Sequence, residues 1–210
     1  MSLPAITALD PDPRRPGTLR VEIDGHRFGV VPQEIVEATG LVRGLGVSEE
    51  LRERLAAAAD VEAAYRTAIR ALERRPFARA DLARRMRRKG HLPAAVDAAL
   101  ERAAGIGLLD DAAFAANYVQ TRTARGRGPS RLAADLMSMG VERAIIDRAI
   151  AAEWGEGTGR STVPRALAET RAAQLGRLPR HVKRRRLLAF LARRGFTGRA
   201  IAGMVAEVVR

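Results

Sequence analysis

Three glycines set the frame of this chain. Gly90, Gly140 and Gly195 each stand eight residues after one apolar side chain and four after another: Leu82 and Met86, Leu132 and Leu136, Leu187 and Leu191. Ten residues further on stand Leu100, Ile150 and Val205. An apolar pair at i and i+4 lies on one helical face, and a glycine behind it supplies the left-handed residue that ends a helix. The pattern reads as apolar helix, stop, second apolar helix, at intervals of 50 and 55 residues. A further apolar helix precedes each pair, at 61–73, 111–124 and 164–175, so each repeat holds three helices. Three such units in succession form a tandem helical array.

The rest of the chain fits around that frame. Leu19, Val21 and Ile23 alternate with polar residues up to Asp24-Gly25, and Phe28 and Val30 follow. This predicts one small hairpin between residues 18 and 31, since both turn positions need φ above zero. No later segment reads as strand. Ser48, ahead of Glu49 and Glu50, caps a short helix, and Asp60 is read as the cap of the separate helix 61–73. Other helices are expected at 79–89, 94–104, 131–139, 141–152, 180–194 and 198–209, with Pro93 in a first turn and Thr197 capping the last. Gly155 to Thr162 reads as a flexible joint, and Arg125-Gly126-Arg127-Gly128-Pro129 links the first two helices of the middle repeat. The expected division is an N-terminal segment with a β-hairpin and a short helix (1–60), then repeats at 61–109, 110–162 and 163–210.

Nothing in this text calls for catalysis. The chain has no cysteine, so neither disulfides nor thiolate metal sites are available. No apolar run approaches the roughly 20 residues that span a bilayer, and the first residues lack the pattern of a signal peptide. A cytoplasmic protein is expected. A phosphate-binding loop is not matched at the glycine joint, where Trp154 takes the first glycine's place and Arg160 the lysine's. His26, His91 and His181 lack metal-ligand spacing and read as surface residues. Asp110-Asp111 stands ahead of an apolar helix, where such acids cap it and oppose its dipole. No serine elbow or His-Glu-x-x-His helix occurs. The chain is therefore read as a non-enzyme, with no cofactor or metal implied, and as a monomer.

Charge carries more. The formal net charge is +13, yet residues 1–60 hold 7 basic and 10 acidic groups. Repeat one holds 11 basic and 5 acidic residues, repeat two 7 of each, and repeat three 12 and 2. Arg84, Arg85, Arg87, Arg88 and Lys89 crowd one helix; Lys183, Arg184, Arg185, Arg186, Arg193 and Arg194 crowd another. Because Leu82 and Met86 point inward, the arginines beside them must project outward. Like charges at this density repel unless an anionic surface approaches. With only 4% aromatic residues, contact with a phosphate backbone or a protein surface is expected rather than base readout. On these grounds alone a general nucleic-acid binder without a dedicated partner stays open.

The order of the motifs narrows the reading. Arg74-Arg75-Pro76-Phe77 is followed by Leu82 to Met86 and Lys89-Gly90; then come Gly107-Leu108-Leu109-Asp110-Asp111, Phe114-Ala115, Tyr118-Val119 and Arg122. Gly126-Arg127-Gly128-Pro129 leads to Leu132, Leu136 and Gly140-Val141, and the run ends on Lys183, Phe190-Leu191 and Arg193-Arg194-Gly195-Phe196. Over roughly residues 61–209 this closely resembles RecX, the bacterial regulators of the RecA recombinase. The resemblance implies three tandem three-helix repeats in a curved arrangement, binding in the groove of the RecA filament on single-stranded DNA, suppression of RecA's ATPase and strand exchange, and affinity for DNA, duplex included. Arg122, Arg125 and Arg127 are then candidates for contact with RecA. Arg84, Arg85, Arg88, Lys89, Lys183, Arg184, Arg185, Arg186, Arg193 and Arg194 are candidates for contact with RecA or DNA phosphate. One departure stands out: where the family has a Ser or Thr helix cap after Arg-Pro-aromatic, this chain has Ala78.

Overall fold

The computed structural model describes residues 3–155 and 162–210. Strands β1 (Ile6–Pro11), β2 (Thr18–Ile23) and β3 (His26–Pro32) are followed by helices α1 (Gln33–Thr39), α2 (Glu49–Leu72), α3 (Arg79–Arg87), α4 (Pro93–Gly105) and α5 (Asp111–Thr123). Then come α6 (Pro129–Met139), α7 (Arg143–Trp154), α8 (Val163–Gln174), α9 (Arg180–Arg193) and α10 (Arg199–Val208). The protein is mainly α with a small N-terminal sheet. It packs as two units, Met1–Phe77 with Asp81–Leu109, and Ala78–Ala80 with Asp110–Arg210. Most of the glycine joint, residues 156–161, lies outside the described residues.

In the first unit Asp24 (φ 50°) and Gly25 (φ 78°) make the expected turn, and β2 pairs antiparallel with β3. The sheet has a third strand, β1, antiparallel to β2. The sequence hides it because the register shifts between Ile6 and Ala8, which breaks the period-two alternation. The short helix α1 was likewise not anticipated.

Asp60 does not cap a helix. α2 runs unbroken from the Ser48 cap, whose Oγ accepts the Leu51 N–H at 3.2 Å, because alanines 56–59 favour the helix and nothing interrupts it. The Asp60 carboxylate instead reaches His91 Nδ1 (2.8 Å) and accepts the backbone N–H of Leu92 (2.9 Å) at the start of α4. His91, expected at the surface, is therefore largely buried, with Nε2 3.0 Å from Thr67 Oγ1. At 24 residues α2 is about 36 Å long, and it serves two cores. Its first half places Leu55 among Ile6, Val21, Val31 and Val36. The second half packs Ala64, Ala68 and Ala71 with Ala95, Ala99 and Ala103 of α4.

The repeat read from the glycines is present in atomic detail. Leu82, Met86, Leu132, Leu136, Leu187 and Leu191 are all fully buried. Gly90, Gly140 and Gly195 take φ of 91°, 83° and 92°. Each glycine N–H donates to the carbonyl three residues back, and the next residue's N–H reaches the carbonyl of Met86, Leu136 or Leu191. This paired closure ends one helix and aims the chain at the next. Leu100 and Val205 are buried as expected, but Ile150 is only partly so; in the middle repeat the deeper position is Ile146, six residues after the glycine.

In the second unit the middle and third repeats meet along a backbone seam. The Gly128 N–H donates to the Arg194 carbonyl (2.7 Å) and the Ser130 N–H to the Gly195 carbonyl (3.2 Å). The amide end of α6 is thus satisfied by the carbonyl end of α9, opposite poles of two helix dipoles. Trp154 sets its ring edge-on to Phe196, centroids 5.6 Å apart. Thr197, expected to cap α10, does not; Gly198 holds that position with no side-chain cap, and Thr197 Oγ1 lies 3.4 Å from Ser130 Oγ. Asp110 caps α5 as expected, accepting from Ala112 and Ala113. Asp111 accepts the Arg79 N–H (2.7 Å) and so does for α3 what a Ser or Thr at position 78 would do. Ala78 itself is buried beside Ala115, Val119 and Leu132, where a small apolar side chain fits.

A Cβ on Gly195 would stand 2.5 Å from the Arg131 nitrogen, and one on Gly128 2.5 Å from the Gly195 carbonyl carbon; a Cβ on Gly90 would meet nothing within 4 Å. G90A should therefore cost only the ~1–2 kcal/mol of a left-handed alanine. G195A bears the same strain plus the collision and should lose clearly more in a urea titration, while G128A, without the φ strain, should also be destabilised. Equal losses for G90A and G195A would contradict the seam.

Candidate binding surface

The turn between α5 and α6 concentrates the middle repeat's arginines. Tyr118 and Arg122 lie one turn apart on α5, with the Arg122 guanidinium 5.3 Å from the Tyr118 ring centre. Asp135 on α6 collects three partners: an ion pair with Arg127, one with Arg131 at 3.1 Å, and the Tyr118 hydroxyl, which donates to it at 3.2 Å. Arg127 is thereby held across the turn, and its backbone N–H donates to the Arg122 carbonyl at 3.0 Å. Arg125 is exposed and makes no ion pair among the described residues.

The third repeat adds to this surface. Arg194 at the end of α9 lies over the Phe190 ring (4.8 Å), which also has Arg171 at 5.8 Å. A Cβ on Gly126 would stand 3.0 Å from Arg194 Nη1, so Arg194 sits against the turn that carries Arg125 and Arg127. Two candidates that are 67 residues apart in sequence, Arg127 and Arg194, thus belong to one place. Sequence reading missed Arg131, Asp135 and Arg171, and gave Phe190 no role beyond its motif. The available signal was the i, i+4 spacing of Arg131 and Asp135, which pairs opposite charges on one helix face.

The remaining candidates fall on α3, the turn that follows it, and α9. On α3, Arg84 pairs with Asp81 (3.2 Å), Arg87 with Asp97 (3.6 Å), and Arg85 lies half-buried 5.8 Å from the Phe77 ring, which Arg75 covers at 3.7 Å. Arg88 and Lys89 are exposed without an ion pair among the described residues. On α9, Leu187 and Leu191 turn inward, and Arg184, Arg185, Arg186 and Arg193 are exposed, again unpaired among the described residues; Lys183 is half-buried. Among the described residues no group of three His, Asp or Glu side chains could hold a metal, and no helix is long and apolar enough to cross a membrane.

Repeated three-helix domains with arginines displayed from their turns and middle helices define a helical-repeat protein. Comparison gives the family. Residues 64–102 match the model for the first three-helix domain of RecX, and residues 110–150 that for the second. The chain is 38% identical over 149 residues to the regulatory protein RecX of Halorhodospira halophila, covering 67% of this chain and 85% of that one. With that of Thermobifida fusca it shares 39% over 148 residues, covering 68% and 74%. A crystal structure of a regulatory protein RecX superposes with a TM-score of 0.77 at 21% identity, covering 98% of this chain and all of the other. RecX from Lactobacillus salivarius gives 0.64 at 18%, covering 71% and 96%; at those identities the likeness bears on the fold. The chain belongs to the RecX family.

Burial, then the charge of Asp135 and the hydrogen bond to it, raise the pKa of the Tyr118 hydroxyl. The folded state therefore holds this proton more tightly than the unfolded chain. Its contribution to stability is complete below about pH 10 and is lost as pH climbs through the raised value. Ultraviolet difference titration of the wild type against Y118F should show Tyr118 ionising above the ordinary tyrosine range, and D135N should bring it down. A Tyr118 titrating at the ordinary value would break the network.

Proposed function

We propose that this protein regulates the RecA recombinase by binding its filament on single-stranded DNA and restraining ATP hydrolysis and strand exchange, in recombination, repair and the SOS response. Membership of the RecX family, together with a braced arginine turn in the middle repeat, carries this reading. Arg122 and Arg127 are pre-positioned by Tyr118 and Asp135, so little side-chain entropy remains to be lost on docking to an acidic protein surface. Arg125 is the exposed contact between them. Arg84, Arg85, Arg88, Lys89, Lys183 to Arg186, Arg193 and Arg194 supply further contacts to RecA or to DNA phosphate, single-stranded or duplex. No catalytic group is required. A regulator of this kind acts through unequal affinity for two filament states, and linked repeats raise the effective concentration of weak individual contacts. It would work in the cytoplasm as a monomer.

The test is the DNA-dependent ATPase of RecA from the same organism, with DNA in excess and this protein below stoichiometry. The wild type should inhibit. R125E should weaken inhibition at least about tenfold if one desolvated charge contact is lost, with unchanged circular dichroism. Absence of inhibition by the wild type would overturn the reading.

A second measurement separates recombinase contact from simple phosphate binding, which the exposed Arg184-Arg185-Arg186 run on α9 favours. Replacing those three by glutamine should flatten the salt dependence of single-stranded DNA binding by about 2 logarithmic units per decade of salt, at about 0.7 per phosphate contact. An unchanged slope would take these arginines off the phosphates.

A further inference from the structure

Within the second unit an unbroken series of contacts joins arginines of the third repeat to those of the middle one. Arg171 on α8 and Arg194 at the end of α9 lie 5.8 Å and 4.8 Å from the Phe190 ring centre. The Arg194 carbonyl accepts the Gly128 N–H at 2.7 Å, and its Nη1 would stand 3.0 Å from a Cβ on Gly126. Gly126 belongs to the turn of Arg125 and Arg127, and Arg127 shares Asp135 with Arg131. Counting Arg122 beside Tyr118, six arginines meet across the seam, and Asp135 is the one carboxylate in the series. Two of the six have donors to spare. Arg194 is half-buried and makes no ion pair or side-chain hydrogen bond among the described residues. Arg171 spends only Nη1, on Gln174 Oε1 at 2.8 Å.

A guanidinium resting on a ring is partly desolvated and held in one orientation, so an acceptor arriving from outside loses little entropy in meeting it. The seam fixes where these groups stand, because it consists of backbone hydrogen bonds and of two glycines, Gly128 and Gly195, that admit no side chain. We infer that Arg171 and Arg194 complete the arginine turn of the middle repeat as one composite site for an acidic protein surface, with Phe190 as the positioning residue that holds both. The inference rests on the RecA reading above and makes the third repeat part of the same contact. A fixed array of guanidinium forks matches a fixed array of carboxylates on a folded partner. A flexible nucleic-acid strand follows solvated arginines and needs no such seam; the exposed run Arg184 to Arg186 meets that description.

Inhibition of RecA's DNA-dependent ATPase by the full chain tests this, with R165Q as the control. Arg165 lies on the same helix as Arg171 but pairs with Glu207 on α10. R171Q should require at least about tenfold more protein for the same inhibition, since one charge-assisted contact is lost, while R165Q should match the wild type. F190L keeps an apolar side chain and removes the ring, so it too should weaken inhibition. In a chain already carrying R171Q and R194Q, F190L should add nothing, because the ring acts through those two arginines. R171Q should leave the salt dependence of single-stranded DNA binding as it is. A wild type that does not inhibit overturns the RecA reading and this site with it; inhibition that R171Q leaves intact overturns the composite site alone. A flatter salt dependence for R171Q with inhibition intact would give Arg171 to DNA phosphate and sink the acidic partner. A further loss from F190L in the arginine-less chain would strip Phe190 of its positioning role.

Discussion

Each repeat depends on one constraint: an apolar pair must be buried and the chain must then reverse within two residues. Leu82 with Met86, Leu132 with Leu136 and Leu187 with Leu191 are all removed from water, and a buried leucine or methionine gains roughly 1.5–3 kcal/mol. That gain is realised only if the third helix returns across the pair. The left-handed glycine behind each pair makes the return, with two backbone hydrogen bonds closing the helix end. The outward direction of the flanking arginines is a by-product of this geometry, since a helix with two inward leucines has its remaining faces in water.

How much of this was legible follows from the distance over which each signal acts. Turn and cap signals are local, so the Asp24-Gly25 hairpin, the Ser48 cap, the Asp110 cap and the three glycines were readable. Asp60 was misread because its partners, His91 and Leu92, lie more than thirty residues away, and an aspartate looks the same whether it caps its own helix or serves another. Asp111 serves Arg79 across a comparable separation, which explains how Ala78 is tolerated. β1 was hidden by its register shift, and Ile150 was overrated because a ten-residue spacing cannot show which side of α7 lies deepest.

The arginines divide in a way that composition conceals. Some are braced within the fold: Arg127 and Arg131 on Asp135, Arg194 over Phe190, and Arg102 paired with buried Glu62 and lying over Tyr65. Others, such as Arg88, Arg125 and Arg184 to Arg186, stand in solvent. The sequence showed the density of charge but not this division, because it is decided by which carboxylate or ring a fold brings alongside. The braced set gives shape to a surface, and the solvated set gives it reach and salt dependence.

The length of α2 has a consequence for how such a protein can be assembled from parts. One helix supplies Leu55 to the core beneath the sheet and Ala64, Ala68 and Ala71 to the first helical repeat. A gene fusion or deletion with its breakpoint anywhere in the middle of that helix would leave two exposed half-cores, each missing a wall. The N-terminal sheet and the first repeat are therefore tied into one folded unit by a single continuous helix.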